Sequence, residues 1–171
     1  MAALENYSEK EWEAISATPQ LVGLAMTGAG ASGIIGSTKE MFASASGMMN
    51  AKTEYSSNAL IQAIIPNTTD ASKALEDAKK QRTVLMDMLK SNNIKSQDQL
   101  TEMILTECKS VITILENKET PEVVSDYKKW VLEIAEKVAN AAKEGSFLGF
   151  GGERFSENEQ ALFEKLKIAL A

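Results

Sequence analysis

The residue types that most often perform chemistry in proteins are scarce in this chain. It has 171 residues, no histidine and a single cysteine, Cys108. The lack of histidine excludes Ser–His and Cys–His catalytic pairs, the usual catalytic zinc sites and the Glu-x-x-His di-iron signature. A single thiol also excludes iron–sulfur and thiolate zinc sites. The sequence therefore predicts no catalytic residue, no metal and no cofactor. Any chemistry that remains would use carboxylates, Lys, Arg, Tyr, Ser or a bound cofactor.

The lone cysteine lies on an apolar helical face. Cys108 shares this face with Ile104 and Val111 in the predicted helix. A buried cysteine behaves as a small apolar side chain, and no neighbouring residue type would activate it. We expect Cys108 to be a core residue and not a nucleophile. We expect Glu133 and Glu136, which lie among lysines, to be solvated surface residues.

A glycine pattern near the N-terminus matches the dinucleotide-binding fingerprint. The segment 28–33, GAGASG, fits G-x-G-x-x-G, and Glu54 follows at about the spacing of a ribose-binding acid. That fingerprint needs a strand before it and a parallel sheet around it. LVGLAM is only a marginal strand and no sheet follows. The pattern therefore favours a flexible loop or a helix–helix contact of small residues, with nucleotide binding as the less favoured alternative.

The segment 145–155, GSFLGFGGERF, combines four glycines with three of the five phenylalanines. Its glycine N–H groups could bind an anion near a helix start, with Arg154 as the donor. The candidate ligand-binding residues are Phe147, Phe150, Gly151, Gly152 and Arg154. The favoured alternative is a loop whose phenylalanines fold back over the end of the bundle.

Arg82 lies on the apolar face of its predicted helix, and Glu107 lies near the apolar face of the next one. If these helices form an antiparallel hairpin that turns at residues 93–96, the two side chains lie level. We predict a partly buried Arg82–Glu107 ion pair that specifies register. Glu107 as a catalytic base held by Arg82 is a less favoured hypothesis.

Charge and hydropathy exclude several kinds of partner. The formal net charge is −6, and no block of basic residues occurs, which argues against nucleic acid and anionic membranes. Residues 14–38 carry no charge, but Pro19 and five glycines favour a buried helix and a loop over a transmembrane segment. The acidic N-terminus has no export signal core, and an unpaired cysteine suits a reducing compartment. We expect a cytoplasmic protein.

No segment shows the alternation of a half-buried strand, whereas helical spacing recurs between start and stop signals. Residues 1–68 are rich in glycine and alanine and poor in charge, and residues 69–171 form charged amphipathic helices. Helix starts are predicted at Ser8–Glu11, Pro19, Ser37–Glu40, Thr69, Ser96–Gln99, Thr120–Pro121 and Ser156–Glu159. Breaks or ends are predicted near Tyr55–Asn58, before Pro66, near Asn92–Asn93 and at Gly145. The prediction is one all-α domain over residues 1–171, a bundle of six or seven mostly antiparallel helices.

The segments VANAAKEGSFLGFGGERFSENEQALFEKL, EWEAISATPQLVGLA and IIGSTKE resemble a bacterial family of helical proteins. The resemblance covers both ends of the chain. It implies a helical fold and brings no activity, cofactor or catalytic residue.

These observations predict a non-enzymatic helical protein that acts through self-association or a protein partner. Helices rich in small residues or methionine suit such close packing. A small-molecule binding module that uses the loop 145–155 is the alternative, and nucleotide binding through GAGASG comes third.

Overall fold

The protein is an all-α bundle. The computed structural model describes residues 5–30, 50–65, 83, 85, 87–143 and 155–171, and this part of the chain contains no strand. Its helices are α1 (Glu9–Ala29), α2 (Ala59–Ile64), α3 (Gln97–Lys118), α4 (Pro121–Lys143) and α5 (Glu157–Ala169). Residues 50–54 and 87–91 are also helical.

Local capping chemistry sets most of the helix starts, as the sequence predicts. Ser8, Ser96 and Ser156 are the N-caps of α1, α3 and α5, and each forms a complete capping box with the residue three positions later. Such a box satisfies main-chain N–H groups that the first helical turn leaves without partners. Pro121 is the first residue of α4, as expected. The predicted start at Ser37–Glu40 and the predicted end at Gly145 lie outside the described residues.

The predicted break after residue 54 is confirmed. Residues 55–57 form a turn, and the Asn58 side chain accepts a hydrogen bond from the Ile61 N–H at the start of α2. The same side chain donates to the main-chain oxygen of Val123 at 3.3 Å and to Asp126 Oδ2 at 3.2 Å. Asn58 therefore both starts α2 and fixes it against the first turns of α4.

The predicted helix start at Pro19 is wrong, because Pro19 lies inside the continuous helix α1. A proline within a helix has no N–H to offer the carbonyl four residues earlier, which here belongs to Ile15. The buried hydroxyl of Tyr127 on α4 donates to that carbonyl at 2.7 Å. Because a side chain of α4 supplies the missing hydrogen bond, α1 continues through the proline.

Polar contacts at the helix ends define the directions of the helices. The start of α1 lies beside the end of α3, where Tyr7 Oη donates to Glu119 Oε1 at 2.6 Å. The far end of α1 lies beside the start of α3, where Gln97 Nε2 donates to the Ala25 carbonyl at 3.0 Å. Helices α1 and α3 are therefore antiparallel. Helix α1 packs against both α3 and α4, and α5 covers these three helices.

The core follows the predicted apolar faces. Helical spacing in the sequence predicts three apolar faces: Leu100, Ile104, Cys108, Val111 and Leu115 on α3; Val124, Tyr127, Val131, Ile134, Val138 and Ala141 on α4; and Leu162, Leu166 and Leu170 on α5. All of these residues are buried except Ala141, which is half-buried. The face of α4 is wider than predicted, because Trp130, Ala135 and Ala139 are buried as well. The largest side chains within the core are Trp130, Tyr127, Ile15, Leu21, Met26, Leu60, Ile61, Leu100, Ile104, Leu115, Ile134 and Leu166.

Candidate functional site

An open cleft lies between α1, the helical residues 87–91 and α3. Its volume is about 530 Å³. The lining residues are Lys10, Glu13, Ala14, Asp87, Met88, Ser91 and Glu107. We call it the acidic cleft, because its described lining residues include three carboxylates and one ammonium group.

Helical spacing brings these side chains to one place. Lys10, Glu13 and Ala14 are three and four positions apart, so they share one face of α1. Asp87 and Ser91 are four positions apart on the second wall. Glu107 comes from α3, directly before the buried Cys108. The cleft is therefore a tertiary feature, formed from three segments that are far apart in the sequence.

Glu107 is the least solvated carboxylate in the cleft. It is half-buried, whereas Glu13 and Asp87 are exposed. Burial raises the pKa of Glu107 above its ordinary value. Among the described residues, exposed Lys90 forms an ion pair with Asp87, at 3.6 Å, and none forms a hydrogen bond or ion pair with Glu107. Because burial disfavours the ionised form of a carboxylate, a cation close to Glu107 would be stabilising.

The predicted Arg82–Glu107 ion pair stays a prediction, because Arg82 lies outside the described residues. Glu107 itself is close to the apolar face of α3, as expected. The acidic cleft does not resemble a metal centre: among the described residues, no group of three His, Cys, Asp or Glu side chains could hold a metal ion.

The expected burial of Cys108 is confirmed. Its side chain is fully buried, and burial together with the nearby Glu107 charge raises its pKa to about 12. A thiol with so high a pKa is almost entirely protonated at neutral pH, and the thiolate is the nucleophilic form. Cys108 therefore behaves as a core residue.

The first two glycines of GAGASG make close contacts within the bundle. A Cβ on Gly28 would collide with the Gln97 side-chain oxygen, and a Cβ on Gly30 would lie 3.2 Å from Glu159 Oε1. LVGLAM, the segment before the motif, belongs to α1, so a helix stands where the dinucleotide fingerprint needs a strand. These contacts favour the helix-packing interpretation of the two glycines. Residues 31–33 of the motif lie outside the described residues.

The candidate ligand-binding residues Phe147, Phe150, Gly151, Gly152 and Arg154 all lie outside the described residues. The structure does describe the start of α5, which follows them directly. There the buried carboxylate of Glu159 accepts hydrogen bonds from Ser156 N at 2.8 Å and Ser156 Oγ at 2.7 Å. A ligand anion at this helix start would meet an existing negative charge, which disfavours anion binding there.

Sequence reasoning singled out Glu107 but missed Lys10, Glu13 and Asp87, because a helical pattern does not show which helices pack together. It also placed Glu133 on the solvated surface, whereas this carboxylate is half-buried beside Lys129 on α4, at 3.5 Å. Glu136 is exposed, as expected.

Within the described part of the chain, no helix is both long and apolar enough to cross a membrane. Comparison with protein-family models, with curated proteins and with solved structures finds no match.

Proposed function

We propose that this protein is a non-enzymatic helical protein that acts by binding another polypeptide, with the acidic cleft as the contact surface. The occupant is a segment with lysine or arginine side chains, from a partner protein or from a second copy of this chain. The observation that carries the proposal is the half-buried carboxylate of Glu107, which forms no hydrogen bond or ion pair with a described residue. The unpaired cysteine favours a cytoplasmic setting.

Electrostatics favours a cationic occupant. Among the described lining residues, three carboxylates accompany one ammonium group, and a partner ammonium or guanidinium group would compensate the charge of Glu107. Charge-assisted hydrogen bonds of this kind are about twice as strong as neutral ones. Complementary charge also speeds association and selects the partner. The half-buried Met88 and Ala14 add apolar surface for the stem of a long basic side chain.

Several other buried polar groups support a non-catalytic role because the bundle itself uses them. Tyr127 bonds to the Ile15 carbonyl, Asn58 caps α2, and Glu159 caps α5. Tyr7, at the bundle end, bonds to Glu119. Each of these contacts fixes a helix position, so these groups are already committed to structure.

The test compares two triple variants of equal net charge. The cleft variant carries Glu13→Gln, Asp87→Asn and Glu107→Gln. The control variant carries Glu102→Gln, Glu122→Gln and Glu136→Gln, which remove three exposed charges outside the cleft. Each protein is purified gently at low salt, and its mass and bound polypeptides are measured by size-exclusion chromatography with light scattering and by mass spectrometry.

The expected result is a defined complex, with a second copy or with one partner, that wild type and the control variant form and the cleft variant loses. Affinity for the purified partner should fall at least about tenfold in the cleft variant and weaken as salt increases. Equal affinities in the cleft and control variants would exclude the cleft as the contact surface. A monomer with no bound polypeptide would contradict the proposed function as a whole.

A further inference from the structure

Helix α1 contains a proline, Pro19, at its centre, and the helical segments before and after this proline differ in how they contact the rest of the bundle. Pro19 cannot donate to the Ile15 carbonyl, and its ring crowds the preceding turn. The Tyr127 hydroxyl, which is fully buried, donates to that carbonyl at 2.7 Å. The Thr18 hydroxyl bonds back to the Ala14 carbonyl at 2.9 Å, a contact that often bends helices. The main-chain ladder of α1 therefore lacks one hydrogen bond at this turn.

Burial is uneven along α1. Over residues 9–18, here called the strap, only Ile15 and Thr18 are buried. Over residues 20–29, Leu21, Val22, Gly23, Ala25, Met26, Thr27 and Ala29 are buried. Few buried side chains give a segment a low free energy of local opening, so the strap is the less stable half.

The free end of the strap is held by polar contacts. Tyr7, just before the strap, donates to Glu119 Oε1 at 2.6 Å. Lys118 Nζ lies 2.8 Å from Glu11 Oε2 and 3.0 Å from the Asn6 carbonyl oxygen. Both groups of contacts join the strap to the end of α3, and the Lys118–Glu11 pair is partly exposed. The strap is thus fastened at one end by these contacts and at the other by the Tyr127 hydrogen bond.

We infer that Pro19 and Tyr127 form a hinge, and that the strap opens from the bundle as a unit while residues 20–29 stay packed. The Tyr127 hydroxyl sets how often the strap opens, because it supplies the hydrogen bond that the proline removes. Opening at the hinge breaks this hydrogen bond and one fewer main-chain hydrogen bond than it would in a helix without a proline. Once detached, a helical segment of this length is marginal in water, so its amide N–H groups exchange with solvent.

The hinge has a consequence for the acidic cleft. Lys10, Glu13 and Ala14 belong to the strap and form one wall of the cleft, whereas Glu107 is on α3. Opening of the strap would widen the cleft, and a bound partner would hold the strap in one position. This consequence rests on the proposed function, but the hinge itself does not.

The test is amide hydrogen exchange on the full chain without a partner, followed by mass spectrometry of peptides from residues 9–18 and 20–29. The variants are Tyr127→Phe, Pro19→Ala and the double variant, with Tyr7→Phe as an independent way to loosen the strap. The alanine N–H at position 19 can donate to the Ile15 carbonyl, so Pro19→Ala restores the helical hydrogen bond. Tyr7→Phe leaves the hinge unchanged and weakens the far end.

In wild type the strap should exchange at least about tenfold faster than residues 20–29. Tyr127→Phe should raise strap exchange at least about a further tenfold with a smaller change in residues 20–29, and Pro19→Ala should cancel most of that increase. Tyr7→Phe should also raise strap exchange, and Pro19→Ala should not cancel this effect. Equal exchange in the two halves of wild type would overturn the hinge. A Tyr127→Phe effect that is the same with proline or alanine at position 19 would also overturn it.

Discussion

The thiol of Cys108 should be almost unreactive in the folded protein. The test treats the folded protein at pH 8 with an excess of a chromogenic aromatic disulfide, a reagent that reacts with thiolates. With the pKa at about 12 instead of the ordinary 9.0, the thiolate fraction falls from about 10⁻¹ to about 10⁻⁴. A thiolate of high pKa is more nucleophilic, so its reaction rate rises about 15- to 30-fold and offsets part of this loss. Because the side chain is fully buried, reagent access adds a further barrier.

The alternative route for the reaction is through an opened state, and it is also slow. A domain with about 5 kcal/mol of stability is open for about 2 × 10⁻⁴ of the time. Ionisation and nucleophilicity together slow the direct route about 30- to 70-fold before the access barrier is added, and the opened-state route is slower than the unfolded thiol by more than about 10³-fold. The native thiol should therefore react at least about 30-fold more slowly than the same thiol in guanidinium chloride. The assay follows the released chromophore, with Cys108→Ser as the blank. A native rate within about tenfold of the unfolded rate would refute the assignment of Cys108 to the core and would reopen the nucleophile hypothesis.

Three further predictions concern stability and titration. Glu107→Gln should stabilise the protein at pH 7, because burial raises the pKa of Glu107 in the folded state and its ionised form therefore disfavours folding. Urea unfolding measures this gain in the free energy of unfolding, which should shrink as the pH falls through the folded-state pKa. Ser156→Ala should cost about 1 kcal/mol in urea unfolding because it removes the N-cap of α5, whereas exposed Ser110→Ala should not destabilise. Lys118→Met should raise the pKa of Glu11 from about 2 towards 4.5, measured by NMR of the side-chain carboxyl carbon, and an unchanged pKa would contradict the contact with Lys118.

Helix starts could be read from the sequence because capping is local. The side-chain oxygens of Ser8, Ser96 and Ser156 bond within three residues, so the relevant partners are visible in a short segment. The apolar faces of α3, α4 and α5 were also predictable, since helical spacing alone fixes which residues share a face.

Pro19 shows where local reasoning fails. The residue that supports it is Tyr127, which lies 112 positions after Ile15, the residue whose carbonyl it contacts. A proline in an apolar helical pattern and a tyrosine on a core face are both visible in the sequence, but their meeting depends on how α1 and α4 pack. The same limit explains why the acidic cleft could not be predicted around Glu107, because its walls come from three separate segments.

The central claim is that a polypeptide occupies the acidic cleft, and native mass spectrometry tests it most directly. Gently purified wild type and the cleft variant Glu13→Gln, Asp87→Asn, Glu107→Gln are compared with their denatured masses. Wild type should carry a bound polypeptide, either a second copy or a partner, and the cleft variant should carry none. A wild-type monomer that retains only a small molecule, lost on denaturation, would contradict the account and favour the small-molecule binding module.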